Sequence, residues 1–108
     1  MLKPEAFSRV FRDGFRSADP FFTLLAVVSD LEAPRLGLAV SRKVSARAVG
    51  RNRIKRQVRE SFRAHSAALP AMDIVVMAKR EAASADNASL RASLEKHWRK
   101  LARQCKAS

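Results

Sequence analysis

Only His65 and His97 could exchange a proton near neutral pH in this chain of 108 residues. Each sits in a segment that reads as a helix, beside apolar positions, which is how a packed histidine is placed rather than an acid–base catalyst. The carboxylates a self-sufficient metal nuclease would need, among them Asp19, Asp30, Asp73 and Asp86, are scattered with no shared helical spacing. No Gly-rich phosphate loop is present. Cys105 is the single cysteine, so it cannot close an internal disulfide, and no Cys/His spacing matches a zinc site. It is expected to pack, or to sit with no special role, near the end of a terminal helix. No catalytic or metal-binding residue is assigned.

What the sequence does concentrate is cationic chemistry. The stretch AVGRNRIKRQVRESFR, from Ala48 to Arg63, carries Arg51, Arg53, Lys55, Arg56, Arg59 and Arg63 against Glu60 alone. Val49, Ile54, Val58 and Phe62 are threaded through it, which a disordered basic tail would not need. At about 100° per residue, Ile54, Val58, Ser61, Phe62 and His65 fall within one quarter of a helix. Asn52, Lys55, Arg56, Arg59 and Arg63 occupy a neighbouring arc, with Arg53 further round. The apolar quarter is expected to dock on a sheet and hold the charges outward. Like charges four apart cost a few tenths of a kcal/mol each, so a helix that tolerates them uncompensated reads as a binding surface rather than a solvated face. Guanidinium forks grip phosphate with two hydrogen bonds and stack on bases. Asn52 adds a donor and an acceptor, suited to a sugar hydroxyl or base edge, or equally to bracing the helix start.

The elements that would position this helix can be read from periodicity. Lys3 to Gly14 reads as a helix, with Pro4 in its first turn, Phe7, Val10 and Phe11 at i, i+3, i+4, and Gly14 as its stop. A small strand near Phe15–Arg16 precedes strands at Phe21–Val28 and Arg35–Ser41, joined by a loop from Ser29 to Pro34. The basic helix runs from about Ala46 to Ser66, ended by Leu69-Pro70. Asp73 to Lys79 reads as a strand and Glu81 to Asn87 as a polar loop with cap candidates Ser84, Asp86 and Asn87. The last helix spans Ser89 to about Cys105, with Leu90, Leu94, Trp98, Leu101 and Cys105 along one side. The expected fold is α+β: a small mixed sheet of about four strands with three helices packed on it, in the order α-β-β-β-α-β-α, one domain over residues 1–108.

Composition agrees. Hydrophobic residues make up 47% of the chain, which excludes a disordered polyelectrolyte. A net charge of +12 opposes compaction and points to a polyanionic partner, nucleic acid ahead of an anionic membrane. No apolar run approaches the ~20 residues of a membrane span, and no signal peptide or lipidation motif is evident. The expected compartment is the cytoplasm.

At these residues the sequence resembles a known family. RNRIKRQVRESFR is similar to the basic helix of the bacterial ribonuclease P protein component, the small subunit of the endoribonuclease that removes the 5′ leader from precursor tRNA. FSRVF (Phe7–Phe11), RLGLAVSRK (Arg35–Lys43), LPAMDIVVMAK (Leu69–Lys79) and LEKHWRKL (Leu94–Leu101) resemble that family in the same order. The resemblance implies a left-handed βαβ crossover through the basic helix, against the general right-handed rule. It implies that hydrolysis belongs to the RNA subunit with Mg²⁺ bound mainly by RNA, and that the protein acts as a monomer in a one-to-one complex with that RNA. It implies RNA contacts at Arg42, Lys43, Arg51, Asn52, Arg53, Lys55, Arg56, Arg59 and Arg63. It also implies a cleft for the single-stranded leader lined by Phe7, Phe11, Thr23 and Leu25, although Phe7 and Phe11 equally suit a core. The chain lacks tyrosine, so stacking near Leu25 departs from many relatives. The competing function is a ribosomal or other structural RNA-binding protein with no processing role, which composition alone does not separate.

Overall fold

The structure is a computed structural model that describes residues 4–106. Helix α1 (Pro4–Asp13) leads into strands β1 (Phe15–Ala18), β2 (Phe22–Val28) and β3 (Arg35–Ala39). Helix α2 (Ala48–His65) and a 3-10 turn (Ser66–Ala68) lead to β4 (Met72–Ala78). A one-turn helix α3 (Glu81–Ser84) and the long α4 (Asn87–Lys106) complete the order. The strands form one sheet in the order β1-β2-β4-β3. β2 is antiparallel to β1 and β4, while β3 and β4 are parallel and joined through α2.

Strand alternation gives the sheet two faces. One carries Phe22, Leu24, Ala26, Met72, Ile74 and Val76, and packs with Ile54 and Val58 of α2 and Leu90, Leu94, Trp98 and Leu101 of α4. The other carries Leu25, Val27, Val75 and Met77 under α1, where Val10 is buried and Ala6 and Phe7 are partly buried. The helical spacing of Leu90, Leu94, Trp98 and Leu101 is therefore the main seam of the core. Trp98 donates its indole N–H to Ser61 Oγ at 2.8 Å and meets Phe62 edge-on, with ring centroids 5.8 Å apart. This satisfies the one polar atom of the largest buried side chain.

Several expected boundaries shift. β1 is four residues long, α2 starts at Ala48, and α4 starts at Asn87 because Asp86 caps it, accepting the Ser89 N–H at 2.7 Å. The polar stretch expected to be a loop contains α3, so the described residues hold one helix more than expected, besides the 3-10 turn. The apolar stripe of α2 meets α4 as well as the sheet, which widens its buried arc to include Gln57. The side chain of Cys105 and the start of the first helix at Lys3 lie outside the described residues.

Gly14 does end α1, but not through a left-handed cap, since no glycine among the described residues has positive φ. Its N–H closes on Val10 O at 2.8 Å, and a Cβ there would collide with Val10 O and crowd the Ala26 backbone at 3.3 Å. Both obstacles are main chain and cannot turn aside. Gly14→Ala is expected to destabilise the fold by about 1–3 kcal/mol, read as a lower urea midpoint at unchanged slope.

Candidate nucleic-acid interface

Helix α2 begins without a capping side chain and without an acid in its first turn, so its first N–H groups and positive dipole end remain available. Ile54 and Val58 are fully buried and Ser61 nearly so, while Phe62 and His65 are half-buried. Asn52, Arg56, Arg59 and Arg63 are exposed and Lys55 is half-buried. Among the described residues no carboxylate lies within ion-pair distance of any basic Arg or Lys side chain of α2. The helix is thus anchored on one side and presents unneutralised cations on the other. Arg42 and Lys43 are also exposed, in the turn that leads from β3 to α2.

Two of the expected contacts are already engaged within the fold. Arg51 donates to the carbonyls of Ser45 (3.0 Å) and Ala46 (2.9 Å), fixing the turn before the helix. Arg53 donates to Asn87 Oδ1 at 2.7 Å and to the carbonyls of Ala83 (3.2 Å) and Ala82 (3.4 Å). It ties α2 to the end of α3 and the start of α4. Sequence spacing could not separate these arginines from their neighbours, because the carbonyls they meet are defined only by the folded loops.

On the opposite face of the sheet, α1 crosses β2 and β4. Phe7 is half-buried against Val10 and Val75, with Leu25 beside it. Thr23 is half-buried on the same face, two residues along β2. Phe11 is 54% exposed. The two rings therefore part company: Phe7 packs, and Phe11 stands free at the edge of the α1–sheet surface.

A family model for ribonuclease P matches residues 1–102. The chain belongs to the ribonuclease P protein family. It is 51% identical to the ribonuclease P protein component of Methylococcus capsulatus, covering all of this chain and 84% of that one. It is 47% identical to that of Yersinia pestis, covering all of this chain and 91% of the relative. The fold superposes on the Staphylococcus aureus RNase P protein with a TM-score of 0.85 at 34% identity, covering 94% of this chain and 93% of the other. It superposes on the Thermotoga maritima RNase P protein with a TM-score of 0.81 at 28% identity, covering 92% and 94%.

Other polar groups of this ribonuclease P family protein serve the fold. Asp73, buried on β4, takes a two-pronged hydrogen bond from Arg35 at 2.8 and 2.9 Å. The two residues are register partners, so the pair holds β3 to β4. Asp19 accepts the Phe21 and Phe22 N–H groups, both at 2.9 Å, and the Ser93 hydroxyl. His97 is buried with Nδ1 2.7 Å from Ser17 Oγ, while its Nε2 is 3.2 Å from Asp19 Oδ2 but off the line of a hydrogen bond. Ser17, His97 and Asp19 mimic a hydrolase constellation in composition, yet Ser17 is 1% exposed and the group cannot meet a substrate. No three His, Cys, Asp or Glu side chains among the described residues come together as a metal-holding group, and no described helix is long and apolar enough to cross a membrane.

Proposed function

We propose that this chain is the RNA-binding protein subunit of ribonuclease P, assisting a catalytic RNA in removing the 5′ leader from precursor tRNA. One observation carries this reading beyond family membership: an anchored helix that exposes Asn52, Arg56, Arg59 and Arg63 with no described acidic partner. Its free side chains form a preshaped cationic ridge. Exposed Arg42 and Lys43, in the turn before the helix, are further cations for phosphate. Arg51 and Arg53 brace the ridge rather than extend it. The hydrolytic chemistry belongs to the RNA subunit, where bound Mg²⁺ supplies an activated water. The chain's own work is to neutralise phosphates and hold the precursor.

The α1–sheet surface is the second half of the reading. Phe11 offers a free ring, with Phe7, Thr23 and Leu25 forming a firm bed beside it. Single-stranded RNA binds where aromatic faces receive bases, each stack contributing ~1–3 kcal/mol. The ridge and this surface lie on opposite faces of the sheet, which suits one side to the RNA subunit and the other to the leader.

The test is reconstitution: precursor tRNA is incubated with the RNA subunit, with and without this chain, at limiting Mg²⁺. Cleavage at the leader junction should rise with the chain and be nil with the chain alone. Cleavage by protein alone would overturn the division of labour, and no stimulation of the RNA would favour a purely structural RNA-binding role. Within the same assay Phe11→Ala should weaken binding of leader-bearing precursor by about fivefold or more, leaving mature tRNA and the melting temperature unchanged. Equal losses for both RNAs would return Phe11 to a packing role.

A further inference from the structure

Val49 is 79% exposed and belongs to neither hydrophobic cluster of the described residues. At ~100° per residue it points about 140–180° away from the buried Ile54 and Val58. Asn52, Arg53 and Arg56 fall within the same outward arc, and the four side chains line one shallow concavity on α2. A lone exposed valine on a protein surface is ordinary. Here, however, it occupies the first turn of an uncapped helix, where alanine would be the better helix former, and it forms the apolar part of a concavity otherwise lined by an amide and two guanidinium groups. Arg53 is held by Asn87 and the α3 carbonyls, so that wall is fixed. Asn52 and Arg56 are exposed.

We propose that Val49, Asn52 and Arg56, walled by Arg53, form a subsite for one unstacked RNA nucleotide. The base lies on the Val49 methyl groups, its edge meets the Asn52 amide, which both donates and accepts, and its phosphate meets Arg56. Paired RNA hides base faces, so an apolar contact of this kind selects a single-stranded position. A surface that only counted phosphates would have no use for a valine. The inference rests on the reading of the chain as an RNA-binding subunit and adds to it a contact that salt does not screen.

The test compares the parent chain, Val49→Ala and Arg56→Ala in binding titrations over a range of salt, with the RNA subunit and precursor tRNA assayed separately to show which RNA supplies the nucleotide. Val49→Ala removes two apolar carbons and should weaken binding to one of the two RNAs roughly tenfold, with an unchanged slope of log affinity against log salt and a melting temperature equal to the parent's or slightly above it. Arg56→Ala should lower that slope by up to about one. A photo-crosslinking phenylalanine analogue in place of Val49 should mark an unpaired nucleotide. Parent-like affinity of Val49→Ala, a loss that tracks a lower melting temperature, or cross-links confined to paired nucleotides each overturns the subsite. If the parent itself binds neither RNA, the functional reading fails instead.

Discussion

Replacing Arg56 and Arg59 together with alanine is expected to weaken binding to the ribonuclease P RNA about a hundredfold near 0.1 M salt. Each phosphate contact releases counterions with a log–log slope of about 0.9, worth nearly tenfold at that concentration. The slope itself should therefore fall by almost two units across a salt titration. Neither side chain is ion-paired among the described residues, and both are exposed. Their removal should leave the fold intact or relieve a few tenths of a kcal/mol of like-charge repulsion. The double lysine variant should recover the slope but only part of the affinity, because an ammonium cannot present the planar fork. Arg53→Ala is the contrasting case. Its guanidinium is engaged with Asn87, Ala82 and Ala83, so the loss should register mainly in melting temperature. If the double alanine variant keeps the parent's salt slope, the ridge does not touch phosphate.

The contrast between these arginines marks the limit of what the sequence discloses. The burial of Ile54 and Val58 and the outward placement of Asn52, Arg56, Arg59 and Arg63 follow from one period of 3.6 residues, which local sequence reports faithfully. Gln57 was not legible as buried, because its arc becomes interior only once α4 lies alongside. Arg51 and Arg53 looked like their neighbours, since a carbonyl acceptor leaves no trace in residue type. Asp19 and Asp73 read as scattered carboxylates until the sheet brought them to Ser93 and Arg35 across 74 and 38 residues. Phe7 and Phe11 share a helical face in projection, yet the sheet covers only the first. What periodicity conveys is direction from a helix axis; what it omits is how far the neighbouring element extends.

Asp19→Ala is expected to destabilise the fold by about 3–5 kcal/mol, or roughly 15 °C in Tm. The carboxylate holds the β1–β2 turn through the Phe21 and Phe22 N–H groups and ties that turn to α4 through Ser93. Alanine would leave two main-chain donors and a buried hydroxyl without partners, whereas Asp19→Asn keeps an oxygen for the turn and should cost far less. The same node sets the acid response. Burial pushes the His97 imidazole below its ordinary value of 6.5, outweighing the pull of the Asp19 charge. Burial alone would raise Asp19, but the hydrogen bonds from Ser93, Phe22 and Phe21 and the charge of His97 hold it below 3.8. In both cases the unfolded chain takes up a proton before the folded one, so stability must rise with pH through each window. It should decline as pH falls from about 6.5 through the folded value of His97, and again below about 3.8 as Asp19 is forced to protonate. In Asp19→Asn the second decline should shrink, and the first should extend to lower pH because the ring loses its anion. Urea midpoints measured from pH 8 to pH 3 check this directly. Stability that increases on going from pH 7 to pH 5 would mean that folded His97 gains its proton more readily than the free side chain, contrary to a ring buried with its Nε2 unsatisfied.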